Sequence, residues 1–207
     1  MLRKVLFLFV TVLLVVPVAV PTYAEEEPIE HEIDADDIQA KFEEIADSYE
    51  LNEPLSDEDA AFVKKYSDTF VRDEDELIQP LKSSSFDKTK YNSGKSIGLW
   101  LKGKCKSSHA VLSNSFGGRN ATYVVKNSKK ATKITAKIRH TAFGIIGSGG
   151  VGKVYDGSIS ATCKKKGVYS CTAEGTKKYT ASVAYSNTWA TSTVTYGSGS
   201  TFSVTAK

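Results

Sequence analysis

The amino-acid sequence predicts a mainly β C-terminal domain, built as an antiparallel sandwich or a small barrel, after an acidic α-helical segment and an N-terminal signal peptide. Three observations support this prediction: an apolar N-terminal run, a change from helical to alternating apolar periodicity, and a reversal of charge along the chain. The 207 residues suffice for one compact domain with extensions, and a hydrophobic content of 41% is typical of a globular protein.

The N-terminus has the order of residues that is typical of a secretory signal peptide. Arg3 and Lys4 precede an apolar run over residues 5–20, and a small-residue cleavage site follows at Ala24. A permanent membrane anchor is the alternative, because the apolar run is long for a signal peptide. The acidic residues directly after Ala24 favour cleavage. We therefore expect a signal peptide over residues 1–24 and a mature protein that is secreted and extracellular.

Charge is divided unevenly along the chain. Residues 25–90 contain 22 acidic and 7 basic side chains, a net charge of −15, and residues 91–207 contain 2 acidic and 18 basic ones, a net charge of +16. Together with the two basic residues near the N-terminus, these sums give the net charge of +3 of the whole chain. Such an asymmetry indicates that the halves interact with each other or with a charged partner.

The acidic segment, residues 25–82, has the periodicity of two amphipathic helices. The apolar positions of the first are Ile38, Phe42, Ile45 and Tyr49, and those of the second are Phe62, Val63, Tyr66 and Phe70. Ser56 is the predicted N-cap of the second helix, with Asp59 three residues later. Each apolar face is too narrow to stabilise its helix alone, so the segment must pack on itself or on the basic half. The polar residues 83–95 are predicted to be a linker.

Residues 96–207 are predicted to be a basic all-β domain, because apolar and polar residues alternate there. One predicted strand buries Ile97, Leu99, Leu101 and Cys105 and exposes Trp100, Lys102, Lys104 and Lys106. Another buries Ile134, Ala136 and Ile138 and exposes Lys133, Thr135, Lys137 and Arg139. Further candidate strands cover residues 121–126, 158–163, 178–185, 190–196 and 201–206. Six to eight short strands are typical of a sandwich or a small barrel.

The three cysteines predict one disulfide bond. Cys163 and Cys171 flank a short polar stretch that is typical of a hairpin loop, so they are the favoured pair in an oxidising compartment. Cys105 is then either a buried thiol or part of an intermolecular bridge.

A glycine-rich motif lies at residues 147–153, with the sequence GSGGVGK. Its spacing matches a dinucleotide-binding fingerprint and most of a P-loop, but both motifs require a helix that begins at the last glycine. Residues 154–160 instead predict an extended strand, and Val154 stands where a P-loop has Ser or Thr. We therefore predict a hairpin loop and no small-molecule cofactor. Three cysteines without a CxxC pair do not predict a metal site.

His109 and His140 are the candidate acid–base pair if the protein is an enzyme, and such a pair suits metal-free RNA cleavage. Carboxylate catalysis is less favoured, because Asp156 and Glu174 are the only acidic residues after residue 90. We expect structural roles for both histidines. Enzyme activity is therefore uncertain and the less favoured interpretation, and no catalytic residue is assigned.

The half of the chain with 18 basic and only 2 acidic side chains is expected to attract polyanions. The candidate binding residues are Trp100, Lys102, Lys104, Lys106, Lys133, Lys137, Arg139, Lys164, Lys165 and Lys166. The predicted partner is an anionic cell-wall polymer or membrane surface, with no specific nucleic acid, and the acidic segment is predicted to be an intramolecular partner that masks the basic domain. The sequence thus favours a wall-binding or bacteriocin-like antimicrobial protein. The alternatives are a secreted ribonuclease-type toxin and a structural extracellular matrix protein that associates through exposed strand edges.

Overall fold

The computed structural model describes residues 34–69, 82–110 and 113–207, a mainly β structure in which two helices precede two antiparallel sheets. The helices are α1 (Ala35–Ser48) and α2 (Asp57–Tyr66). The strands are β1 (Asp68–Thr69), β2 (Lys82–Tyr91), β3 (Gly98–Ser108), β4 (Asn114–Lys126), β5 (Ala131–Ile146), β6 (Gly150–Lys164), β7 (Ser170–Tyr179), β8 (Tyr185–Tyr196) and β9 (Ser200–Ala206). The predicted signal peptide, the start of the acidic segment and Phe70 lie outside the described residues.

Side chains cap both helices at their N-termini. Asp34 precedes α1 and accepts a hydrogen bond from the backbone N–H of Asp36, with 3.4 Å between N and Oδ1. Ser56 precedes α2, and its hydroxyl accepts a hydrogen bond of 3.2 Å from the N–H of Asp59, which confirms the predicted cap. Such bonds satisfy backbone donors that have no partner inside the helix.

The strands form two antiparallel sheets that face each other as a sandwich. In the five-stranded sheet β6 pairs with β5 and β5 with β8, and both β1 and β9 pair with β8. The four-stranded sheet has the order β2-β3-β4-β7. The predicted alternation in β3 and β5 is confirmed, because Leu99, Leu101, Ile134 and Ile138 are fully buried in the core between the sheets.

The predicted disulfide bond between Cys163 and Cys171 is also confirmed, with 5.7 Å between the two Cα atoms. It joins β6, at the edge of one sheet, to β7, at the edge of the other. The covalent bond therefore holds the two layers together at one side of the sandwich. Cys105 has a buried thiol in the core.

Several boundaries differ from the sequence prediction, since β4, β6 and β8 begin earlier than the strands predicted at residues 121–126, 158–163 and 190–196. Residues 83–95 were predicted to be a linker, but β2 occupies Lys82–Tyr91 and pairs with β3 over its whole length, with Phe86 buried in the core. As an edge strand, β2 buries few side chains, so its sequence lacks the alternation of a half-buried strand. The strand predicted at residues 178–185 is instead the end of β7, a connection and the start of β8.

The helices pack on the outer face of the five-stranded sheet, at one end of its strands. Phe42, Ile45 and Val63 form a second apolar cluster with Phe143 of β5 and Val151 of β6. The chain between the helices is bonded to β6, because the N–H of Leu55 donates to the carbonyl of Val151 at 2.8 Å. Neither helix in the described part of the chain is long and apolar enough to span a lipid bilayer.

Candidate functional site

The outer face of the five-stranded sheet carries rows of hydroxyl and basic side chains in register across its strands. Alternation along each strand places these side chains on the solvent side, since their neighbours fill the core. Three rows run across the sheet in the strand order β6, β5, β8, β9. They are Lys164, Lys133, Thr195 and Thr201; Thr162, Thr135, Thr193 and Ser203; and Ser160, Lys137, Thr191 and Thr205. We call these residues the hydroxyl–lysine face.

Hydrogen bonds between neighbouring strands hold the hydroxyl groups in place. The side-chain oxygens of Thr193 and Ser203 are 2.8 Å apart, and those of Thr135 and Thr162 are 3.3 Å apart. β-branched threonine packs well on a pleated sheet and has few rotamers, so the positions of these hydroxyls are restricted. A shallow groove of about 350 Å³ runs over this face.

The lysines of the hydroxyl–lysine face have no carboxylate partner among the residues that the structure describes. Within the described ranges, Lys133, Lys137 and Lys164 make no ion pair. Exposed ammonium groups of one sign on a face with hydroxyl donors can attract and bind phosphate or carboxylate groups of a ligand.

Arg139 lies on the same face but is occupied within the chain. Its guanidinium donates to both carboxylate oxygens of Asp156, at 3.0 and 2.8 Å, and lies 2.7 Å from a carboxylate oxygen of Asp47 in α1. These hydrogen bonds raise the pKa of Arg139 despite its partial burial, and those to Asp156 have the largest effect. The guanidinium also lies over the ring of buried Trp189, 5.5 Å from the centroid. Arg139 therefore anchors the helix rather than offering a free positive charge.

Helix α1 covers the end of the hydroxyl–lysine face next to Arg139. A carboxylate oxygen of Glu43 accepts hydrogen bonds from the hydroxyls of Thr205, at 2.9 Å, and Thr191, at 3.4 Å. On β6, the buried ammonium of Lys153 donates a hydrogen bond of 2.8 Å to the carbonyl of Ala46 in α1. Acidic and backbone acceptors of α1 thus satisfy polar groups at this end of the sheet, and no helix of the described residues covers the other end of the face.

The outer face of the four-stranded sheet holds the remaining predicted binding residues of the strands: Trp100, Lys102, Lys104 and Lys106. The Trp100 indole N–H donates to Asp87 at 2.6 Å, and this hydrogen bond, together with Lys102, lowers the pKa of the Asp87 carboxyl. A groove of about 500 Å³ lies beside this tryptophan. The ten predicted residues therefore do not form one site: they divide between two opposite faces, with Lys165 and Lys166 in the turn after β6.

His109 and His140 come together in the structure, with 5.5 Å between their ring centroids. The hydroxyl of Tyr179 lies between them, 2.7 Å from Nε2 of His140 and 3.2 Å from Nδ1 of His109. The hydroxyl of Thr188 is 2.7 Å from the other nitrogen of His140. Sequence reasoning did not find Tyr179, because nothing in the local sequence indicates that three separate strands meet there.

Both histidines are buried, with 0% of His140 and 3% of His109 exposed. Burial, reinforced by the nearby His109, lowers the pKa of His140 well below its usual value, and burial raises the pKa of Tyr179. The ring of Phe116 stacks on His140 with 4.9 Å between centroids. The ring nitrogens of both buried histidines contact side chains of the protein, so the cluster fits a structural role.

No protein-family model matches the chain, and no curated protein matches its sequence. Among the described residues, no group of three or more His, Cys, Asp or Glu side chains is placed to hold a metal ion.

Proposed function

We propose that the protein is a secreted binding protein that adsorbs to an anionic polymer of a cell envelope or surface through the hydroxyl–lysine face. The observation that carries this proposal is the register of Lys133, Lys137 and Lys164 with the Thr and Ser rows of the neighbouring strands, without carboxylate partners in the described ranges.

The geometry of the face suits a repeating ligand. Neighbouring strands lie about 4.8 Å apart, and side chains on one face recur about every 7 Å along a strand. Ammonium groups attract phosphate or carboxylate groups, while hydroxyls donate hydrogen bonds to the same oxygens. A polymer that repeats an anionic unit can contact several such positions at once, so many weak contacts add up to stable adsorption. This chemistry needs no catalytic group.

The acidic helices support the idea of a mask over part of this face. Asp47 and Glu43 of α1 contact Arg139, Thr191 and Thr205, so they occupy positions that polymer phosphates would otherwise contact. We propose that cleavage after α2 and removal of the helices enlarges the binding surface. In this proposal the protein is a bacteriocin-like antimicrobial with an acidic pro-segment, and its activity is expected to increase on release of the helices.

Adsorption of residues 25–207 to purified poly(glycerol phosphate) teichoic acid tests the proposal. The double variant Lys133→Glu/Lys137→Glu changes the net charge by −4 and is expected to weaken binding at least tenfold at low salt. The control Lys177→Glu/Lys178→Glu makes the same change in net charge on exposed residues of β7, on the other sheet, and is expected to have a small effect.

Equal losses in both double variants would show that only net charge matters and would contradict a defined binding face. Wild-type binding is expected to fall steeply as salt rises, because exposed charges are screened over about 8 Å at physiological ionic strength. Anionic lipid vesicles in place of teichoic acid distinguish a membrane surface from a wall polymer.

A further inference from the structure

Three aromatic rings form a row on the outer face of the four-stranded sheet. Trp100 of β3 and Tyr123 of β4 are cross-strand partners, with 5.1 Å between ring centroids. Tyr169, directly before β7, extends the row with 6.2 Å between its centroid and that of Tyr123. Its carbonyl accepts a hydrogen bond of 2.8 Å from the N–H of Val124, which fixes its position beside β4. We call Trp100, Tyr123 and Tyr169 the aromatic platform.

The platform is accessible and its first ring is held in place. Tyr169 is 61% exposed, the largest exposed fraction among the big apolar side chains of the described residues. The indole of Trp100 is fixed by its 2.6 Å hydrogen bond to Asp87, and Asp87 is in turn 3.3 Å from the ammonium of Lys102. Trp100 and Tyr123 are each partly exposed. Exposed aromatic area is unfavourable in water, so a row of rings that reaches the surface is a feature of binding surfaces.

The two basic residues that line the groove beside Trp100 are paired with carboxylates, in contrast to the lysines of the hydroxyl–lysine face. Lys102 pairs with Asp87, and Arg119 lies 3.6 Å from the carboxylate of Glu174 across the strands. Proteins that stack bases of single-stranded nucleic acids combine aromatic rings with a positively charged groove that follows the phosphates. Here carboxylates compensate the nearest cations, which favours a ligand with little charge.

Sugar rings have the required chemistry. One face of a pyranose ring presents C–H groups that pack on an aromatic plane, and its edge presents hydroxyls that bond to polar side chains. The groove beside Trp100 has a volume of about 500 Å³ and is lined by polar groups of Ser85, Asp87 and Arg119 as well as by the rings of Trp100 and Tyr123. We propose that the aromatic platform is a second binding site, separate from the hydroxyl–lysine face, and that it binds a neutral glycan chain.

Titration of residues 25–207 with two soluble neutral probes, cellohexaose and N-acetylchitohexaose, tests this site. Trp100, which is partly exposed, and buried Trp189 are the chain's two tryptophans, so saturable binding is expected to change the fluorescence of Trp100. Trp100→Ala and Tyr169→Ala are each expected to weaken the affinity roughly tenfold, in the range known for the loss of one stacked ring. Trp100→Phe keeps a ring and is expected to retain most of the affinity.

The matched control is Tyr91→Ala, which removes an exposed tyrosine from the end of β2, where its ring covers Gly98. This control and the double variant Lys133→Glu/Lys137→Glu are both expected to bind the hexasaccharides with the affinity of the wild type. The experiment therefore tests the glycan site independently of the proposed polymer-binding face. Absence of binding to both probes overturns the proposal. Tighter binding to oligo(U) that Trp100→Ala abolishes also overturns it, because the platform would then stack bases.

Discussion

Acid is expected to destabilise the fold through His140, and the size of the effect follows from its environment. The imidazole is buried among Phe116, Tyr155, Tyr179 and His109. Its two nitrogens form hydrogen bonds with the neutral hydroxyls of Thr188 and Tyr179. Its pKa in the folded protein is therefore well below the usual value. In the unfolded chain the ring is hydrated and has a pKa of about 6.5.

The sign of the effect follows from proton binding. Below a pH of about 6.5 the unfolded chain binds a proton that the folded His140 does not bind, so the free energy of unfolding decreases as the pH falls. As long as the folded ring stays neutral, each pH unit below about 6.5 lowers that free energy by up to about 1.4 kcal/mol.

Carboxylates with lowered pKa values affect the stability of the fold in a different pH range. A hydrogen bond from Lys88 lowers the pKa of Asp36, and one from Trp100 lowers that of Asp87. The stability that they contribute is present above the usual pKa of about 3.9 and is lost only as the pH falls below it. Measurements between pH 4.5 and 7.5 therefore lie above the range in which these two carboxylates lose their contribution, and comparison with a variant of His140 separates its share from that of buried His109.

Urea unfolding of residues 25–207 at pH 7.5, 6.5, 5.5 and 4.5 measures this dependence. His140→Gln keeps a polar side chain near Thr188 and Tyr179 but has no group that titrates. The variant is expected to be less stable at pH 7.5, and its free energy of unfolding is expected to change less with pH than that of the wild type. Equal slopes in the two proteins would refute the argument, because the dependence would then come from other groups.

Three further predictions concern the framework of the fold. Asn120 is buried and its amide donates to the carbonyls of Lys137 and Thr191, at 3.1 and 3.2 Å, so Asn120→Ala is expected to lower the free energy of unfolding by about 1–3 kcal/mol in a urea titration. Replacing Cys163 and Cys171 with serine is expected to cost about 2–3 kcal/mol, since they are 8 residues apart in sequence; equal stability of the wild type with and without reductant would argue against this. Phe42→Asp buries a charge in the helix–sheet cluster and is expected to detach α1 and increase teichoic-acid binding, measured by co-sedimentation.

Strands with a long alternation of apolar and polar residues were predictable from sequence, whereas most of β7 was not, because Cys171 and Ala173 are its only buried residues. In β3 and β5 apolar and polar residues alternate over many positions, because one side of each strand fills the core. The edge strand β2 was not predictable in this way, since Phe86 is its only buried residue. A strand held mainly by backbone hydrogen bonds to one neighbour leaves little trace in the pattern of side chains.

The candidate sites depend on strand order and register, which local patterns do not determine. The sequence predicted that Lys104 and Lys137 both point to solvent, but not that they lie on opposite sheets. The contact of His109 with His140 likewise depends on the packing of β5 against the end of β3 and on Tyr179 of β7. Such contacts join residues far apart in the chain, so composition and periodicity alone do not reveal them.

The acidic segment combines two kinds of contact with different consequences. Exposed ion pairs contribute only about 0–1 kcal/mol each, whereas fully burying a large apolar side chain contributes roughly 1.5–3 kcal/mol. Phe42, Ile45 and Val63 are each at most 1% exposed, so apolar contacts hold the helices on the sheet, and Asp47 and Glu43 determine which polar groups they cover. High salt should therefore weaken adsorption of an anionic polymer to the open lysines while the helices stay in place. Uncovering the rest of the face therefore requires proteolysis or loss of the apolar contacts, because added polyanion competes only for the charges.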